Sequence, residues 1–478
     1  MVGDFFKLVF LTIGAQTRTM YPMTSFTKLF LKGEVLSGFW NSVVKGIGAV
    51  NSLIIVGALS VYQFGLYQLV LSLIAIAGAL LPDMFDDIVF VEMSARWSQK
   101  KAGEAKALFG EYAALKILIG AVVTILVFAA GTFAGRLVHA DIAGYIRILS
   151  AIPFIVTIQS LFLIFFRARV SFSGLPMDAV REASKLILFG IFFFAQIRLG
   201  IAEILYAYVG AQAAATIVIG ILFARQYRAV FAGVVSNASA RLFPILKRLG
   251  GWAAARYYIG QVSKSAKLWI LRIFVSTEAV GLFSFASTLL SMIMSAAPFG
   301  TLGTLFPREI ADRERFRHIF TRSTKYAIFI SFAFMVLSII GGPIAIHLIF
   351  PKYDPVIPLF IIMTGSIAVY GLFKVARMAL IALQEQKALF VRLIAAAAAD
   401  PLFIILLAPL FGIYGAGIGV VLVDALSAAV YYAALTRAHP HLRLTSKILF
   451  SFDAYDREFF GRMMKGGWGF LRNTMGRL

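Results

Sequence analysis

The chain contains no cysteine among its 478 residues. That excludes a disulfide framework, thiolate metal ligation and thiol chemistry. Charge is scarce as well: 14% of the residues are charged, 60% are hydrophobic, and the mean hydropathy is +0.87. A soluble domain of this size could not cover itself with so little polar surface. The five histidines are scattered and show no metal-ligand spacing. A phosphate-binding glycine loop, a nucleophile elbow and a dinucleotide fingerprint are all missing, so neither enzymatic activity nor a cofactor is expected. Acids are the scarcer sign, with 23 Asp and Glu against 45 Lys and Arg and a net charge of +22. In a chain this apolar the excess marks loops facing anionic membrane lipids, and no nucleic-acid partner is expected.

What the chain has instead is long apolar runs. A membrane span takes about 20 apolar residues. On that rule the sequence predicts an all-α, polytopic protein with spans at 34–58, 64–83, 108–135, 145–166, 183–198, 201–224, 251–275, 280–305, 326–349, 355–381, 388–409 and 413–435. The fifth is the shortest. Residues 1–33 have too short an apolar core for a cleavable signal, and Arg18, Lys28 and Lys32 follow it. They read as a basic cytoplasmic segment lying on the membrane. Residues 34–224 then form an N-lobe of six spans, 225–250 a basic cytoplasmic linker, and 251–437 a C-lobe of six more. Residues 438–478 mix aromatics with Arg457, Arg462, Lys465 and Arg472, and read as an interfacial cytoplasmic tail.

Loop charge orients this layout. The odd-numbered connections hold only Arg136, Arg147, Arg198 and Lys352, and the spans hold Lys45, Lys116, Lys264, Lys267 and Arg272. The remaining 36 of the 45 basic residues fall on the even connections and the two tails. Positive charge concentrates on the cytoplasmic side, so both termini are expected there.

The stretch from Gly250 to Phe283 stands out. It is apolar enough for a bilayer yet carries Arg256, Lys264, Lys267 and Arg272. A cation at membrane depth costs about 2.5–3.5 kcal/mol on insertion scales. Lys264 and Lys267, three apart, share a helix face that must look at protein or at a water-filled cavity. Arg256 and Arg272, near the ends, suit snorkelling. Lys45 lies at similar depth on the first span, where either a cavity role or a helix-end carbonyl or acid partner fits. Asp400 and Asp424 are the acids deep within spans, candidates for ion coupling or for structural pairs with Lys116, Arg377 or each other. Asp83, Asp86 and Asp87, at the end of span two, are expected to be solvated. Pro153, Pro298 and Pro307 are candidate helix bends.

The two halves repeat. Phe64-Gly65-Leu66-Tyr67 aligns with Val280-Gly281-Leu282-Phe283 at an offset of 216, and Leu199-Gly200 with Tyr414-Gly415 at 215. Two agreeing offsets indicate parallel six-span repeats with a binding site between the halves.

These motifs carry a resemblance. The paired [FV]-G-[LIV]-[YF] elements are joined by Leu348-Ile349-Phe350-Pro351-Lys352-Tyr353, Ala382-Leu383-Gln384 and Phe411-Gly412-Ile413-Tyr414-Gly415-Ala416. Over residues 34–437 this order resembles the multidrug/oligosaccharidyl-lipid/polysaccharide (MOP) superfamily, and within it the polysaccharide-biosynthesis flippases. The resemblance implies two six-helix lobes around a central cavity lined by spans 1, 2, 7 and 8 and opening to alternate sides of a bacterial inner membrane. It implies movement of undecaprenyl-diphosphate-linked oligosaccharide, with polysaccharide polymerase and glycosyltransferases as partners. Relatives carry an acid midway along spans one and seven, where this chain has Asn51 and Lys267. A cationic cavity of Lys45, Lys264, Lys267 and Arg272 is therefore expected in place of an acid-based antiport site. A multidrug or cation antiporter of the same superfamily and a peptidoglycan-precursor flippase remain as alternatives. A major-facilitator transporter would carry a Gly/Asp-Arg-Gly-Arg signature after span two, and this chain has none.

Overall fold

Backbone amides inside hydrocarbon have no water to bond, so a chain crossing a bilayer must satisfy them within helices or a closed barrel, and runs of about 20 apolar residues suit helices. The computed structural model describes residues 26–137, 141–169, 171–237, 242–297, 299, 306 and 312–445. Among them every regular element is helical. The first half contains α1 (Phe26–Ala58), α2 (Val61–Gly78), α3 (Asp86–Ser98), α4 (Ala102–Leu137), α5 (Asp141–Leu149), α6 (Ile152–Ala168), α7 (Met177–Phe194) and α8 (Ile201–Phe231). The second contains α9 (Leu242–Phe274), α10 (Thr277–Ala296), α11 (Arg313–Ile349), α12 (Ile357–Met363), α13 (Gly365–Ala382), α14 (Gln386–Phe411) and α15 (Ile413–Ala438). The predicted tail segments fall largely on 1–25 and 446–478, which lie outside the described residues, as do Pro298 and Pro307.

Ten stretches among the described residues are long and apolar enough to cross a membrane. They match ten of the twelve predicted spans in order. The other two are α7 and α9, of 18 and 33 residues, and both are interrupted by charge. In α7 the charges are Asp178, Arg181, Glu182 and Lys185, all in the first three turns. The predicted fifth span began at residue 183, after the first three of them, so the helix starts six residues earlier than expected. The predicted fourth span is two helices, α5 and α6, with Pro153 in the first turn of α6. There the missing N–H costs no hydrogen bond.

By contacts the described residues form two compact units. One comprises Met1–Ser295, Ser338–Thr364 and Leu393–Val423, the other Ala296–Leu337, Gly365–Arg392 and Asp424–Leu478. The first is built on an aromatic core in which Phe223 stacks on Phe162 at 4.6 Å and meets Phe165 edge-on at 5.1 Å. The second packs Phe306, Phe316, Phe320 and Tyr431 together.

Within the first unit the sequence repeat is visible in the structure at one place. Ser60 accepts a hydrogen bond from the Gln63 amide at the start of α2, and Ser276 accepts one from the Ala279 amide at the start of α10. One turn further on, the two helices touch at glycines. A Cβ on Gly65 would lie 2.0 Å from the Thr277 carbonyl oxygen, and one on Gly281 would lie 2.2 Å from that of Val61. All four pairings obey the offset of 216. The Phe411–Ala416 motif has an equally concrete basis. Gly412 adopts φ +59° between α14 and α15, and a Cβ on Gly415 would sit 2.1 Å from the Leu407 carbonyl.

Candidate functional site

Of the two helices that break the hydropathy rule, α9 packs against α2 and the Pro82–Phe85 turn. Its Lys267 Nζ lies 3.6 Å from Asp400 Oδ2 on α14, and both side chains are partly exposed. One turn earlier Ser263 donates to the Ala397 carbonyl at 3.1 Å, so the same two faces meet twice. Arg272 lies over the Trp269 ring at 5.3 Å, and the Trp269 indole donates to Ser72 Oγ on α2 at 2.8 Å. Lys45, exposed on α1, reaches the Ser295 carbonyl at 3.4 Å, in the last turn of α10. Of the alternatives open for Lys45, the structure displays the helix-end carbonyl. Lys264 is a residue of α9 whose side chain lies outside the described residues. Asp424, in the second unit, is partly buried.

The structure thus joins Lys267 to Asp400 and gives Lys45 and Arg272 partners of their own. The cations are nonetheless staggered along their helices. The matching caps Ser60 and Ser276 put the ends of α1 and α9 at equivalent places in the repeat. Counting back from Phe274 and Ala58 at 1.5 Å per residue, Arg272 is about 3 Å, Lys267 about 10 Å, Lys264 about 15 Å and Lys45 about 20 Å from that end. Positive charge therefore recurs at intervals of about 5–7 Å when measured along the helix axes.

Two further polar clusters occupy the first unit. Lys116, fully buried on α4, contacts Asp83 at 2.8 Å, Asp86 at 2.5 Å and Ser160 Oγ at 2.6 Å. Tyr112 donates to Asp86 and to the Pro82 carbonyl. The expectation that Asp83 and Asp86 are solvated is corrected: they neutralise a lysine that could not otherwise be buried. Asp87 alone of the three is open to solvent, paired with Arg167 at 3.1 Å.

The second cluster was missed in the sequence. Asn51, buried on α1, donates to the Glu182 carbonyl and carboxylate, both at 2.9 Å. Lys185 meets the same carboxylate at 2.9 Å and lies 5.5 Å over the Tyr208 ring. Counting Lys185 as loop charge hid this site. The available signal was the Glu-x-x-Lys spacing, which lets an acid and a base neutralise each other on one helix face. Glu182 thus places an acid against Asn51, the position where the resemblance had pointed to the absence of one.

No family model matches the chain, and no curated protein matches it. Solved structures do. A multidrug resistance MATE family transporter of the MOP superfamily in an inward-facing conformation superposes with a TM-score of 0.68 at 14% identity, over 91% of this chain and 98% of that one. The lipid II flippase MurJ gives a TM-score of 0.67 at 12% identity, over 87% and 89%. A MOP superfamily transporter from Pyrococcus furiosus, described by a binding pocket of reverse polarity, gives 0.51 at 14%, over 87% and 94%. At such identities the likeness is one of fold: the chain is an all-helical, multi-pass membrane protein with the fold of the MOP superfamily transporters.

Proposed function

We propose that this protein is a flippase for an undecaprenyl-diphosphate-linked oligosaccharide, working by alternating access through a cationic cavity in a bacterial inner membrane, with both termini cytoplasmic. The observation that carries the reading is the series of cations staggered along α1 and α9. A lipid diphosphate is a dense anion on an apolar tail, and crossing the bilayer requires hiding that anion from hydrocarbon. Ammonium and guanidinium groups do so by charge-assisted hydrogen bonds. Steps of about 5–7 Å let the diphosphate keep one partner while it exchanges another. Lys45, Lys264, Lys267 and Arg272 are the proposed ligands. Asp400, which neutralises Lys267 when no anion is bound, is the first candidate for ion coupling and Asp424 the second. The known fold-mates include a lipid II flippase, so a lipid-linked substrate is within the reach of this architecture. A multidrug antiporter would need acids facing its cationic drugs, and this series is basic.

Reconstituted vesicles loaded with the lipid-linked oligosaccharide test the reading. Lys267→Glu should abolish translocation at normal protein abundance, and Lys267→Arg should retain part of it. Wild-type rates from both Lys264→Ala and Lys267→Ala would refute the assignment.

A further inference from the structure

The second unit has a cavity of about 260 Å³, lined by Arg313, Phe316, Leu383, Ala438, His439 and His441. It is formed by the first turn of α11 and the residues just past α13 and α15. All three segments belong to the end that the charge asymmetry assigns to the cytoplasm. Arg313 carries five N–H donors. Among the described residues its one hydrogen-bond partner is His441 Nδ1, at 3.1 Å, and no carboxylate pairs with it. His439 meets Glu385 Oε1 at 3.2 Å, and the two histidine rings stand perpendicular at 5.9 Å. Phe316, Leu383 and Ala438 supply an apolar wall.

We propose that this cavity is a binding site for a phosphate group, presented either by an anionic membrane lipid or as the free ion. The Arg313 guanidinium, with no carboxylate partner among the described residues, has the fork that matches a phosphate's oxygens. A headgroup fits the volume, and the apolar wall suits the first carbons of an acyl ester. The site shares no residue with the cations of α1 and α9 and does not depend on their role.

Binding should take up a proton. With Arg313 donating to it, His441 Nδ1 must be the bare nitrogen, so the ring is neutral. Burial holds its pKa below the ordinary value, with Arg313, His439 and Arg317 adding to the effect. Among the described residues Glu385 is the acid that meets the pair, and it is engaged by His439. A phosphate would reverse the field, raise the pKa and release the guanidinium from the ring. Affinity should therefore rise as pH falls.

The full-length protein in detergent can be titrated with dioctanoyl phosphatidylglycerol, dioctanoyl glycerol and inorganic phosphate at about pH 6 and about pH 8, either side of an ordinary histidine pKa. The phosphorylated lipid should bind and the glycerol lipid should not. Competition by millimolar inorganic phosphate would identify the free ion as sufficient, and failure to compete would identify the lipid. Arg313→Gln should weaken binding about tenfold, the loss of one charge-assisted contact. His441→Gln should remove the pH dependence. If Arg313→Gln does not fold, as read by its melting transition, Arg313→Lys should still bind more weakly than the wild type, because the fork is gone. Unchanged affinity in the folded arginine variant, or equal binding of the lipid without phosphate, would overturn the proposal.

Discussion

Gly65 and Gly281 stand at the same place in two helices that touch, and each lacks the one atom that the other helix leaves no room for. A methyl group on Gly65 would enter the Thr277 carbonyl, and one on Gly281 the Val61 carbonyl. Because the obstacles are backbone atoms, a side-chain rotation cannot relieve them. Gly65→Ala and Gly281→Ala should each destabilise the protein by about 1–3 kcal/mol or more, the usual cost of overpacking. Thermal unfolding in detergent measures it, and Gly46→Ala, with open space around it, is the control that should change little.

Lys116 should be the most costly lysine to remove. It is fully buried between Asp83 and Asp86. Lys116→Met leaves two carboxylates facing each other, a loss of about 3–5 kcal/mol. Replacing the acids as well, with Asp83→Asn and Asp86→Asn, should recover most of the lost melting temperature. A single variant as stable as the wild type would mean that water reaches the cluster.

Lys352 donates to the Gly57 and Leu59 carbonyls at 2.7 and 2.6 Å, closing the C-terminal end of α1. A cation there also meets the negative end of the helix. Lys352→Gln should weaken this end by about 1.5–3 kcal/mol. The Leu59 amide, bonded to Ile55 in the same turn, should then exchange its hydrogen faster, while amides in α8 keep their rate.

Asp400→Asn should free Lys267. The pair is loose and partly exposed, so it holds about 0.2–1 kcal/mol. Affinity for the lipid diphosphate should rise by up to about fivefold. If Asp400 couples transport to an ion gradient, turnover should lose its gradient dependence in the same variant. Weaker binding by Asp400→Asn would show that the acid orients the lysine for the substrate.

The membrane class, the order of the helices and the local match between the starts of α2 and α10 were legible in the chain, because they rest on local quantities. Apolar length, loop charge and glycine spacing each act through one helix or its nearest neighbour. Ser60 with Ser276 and Gly65 with Gly281 could be paired from their offset alone. Which cation meets which acid was decided only by tertiary structure. Lys116 and Asp83, or Asn51 and Glu182, lie far apart in sequence, and burial forces each charge to find whatever partner the packing brings within reach. The same pairing disguised α7: Glu182 and Lys185 looked like loop residues until each cancelled the other inside the bundle. A charge in a sequence carries its cost with it, but the partner that offsets that cost is set by three-dimensional packing.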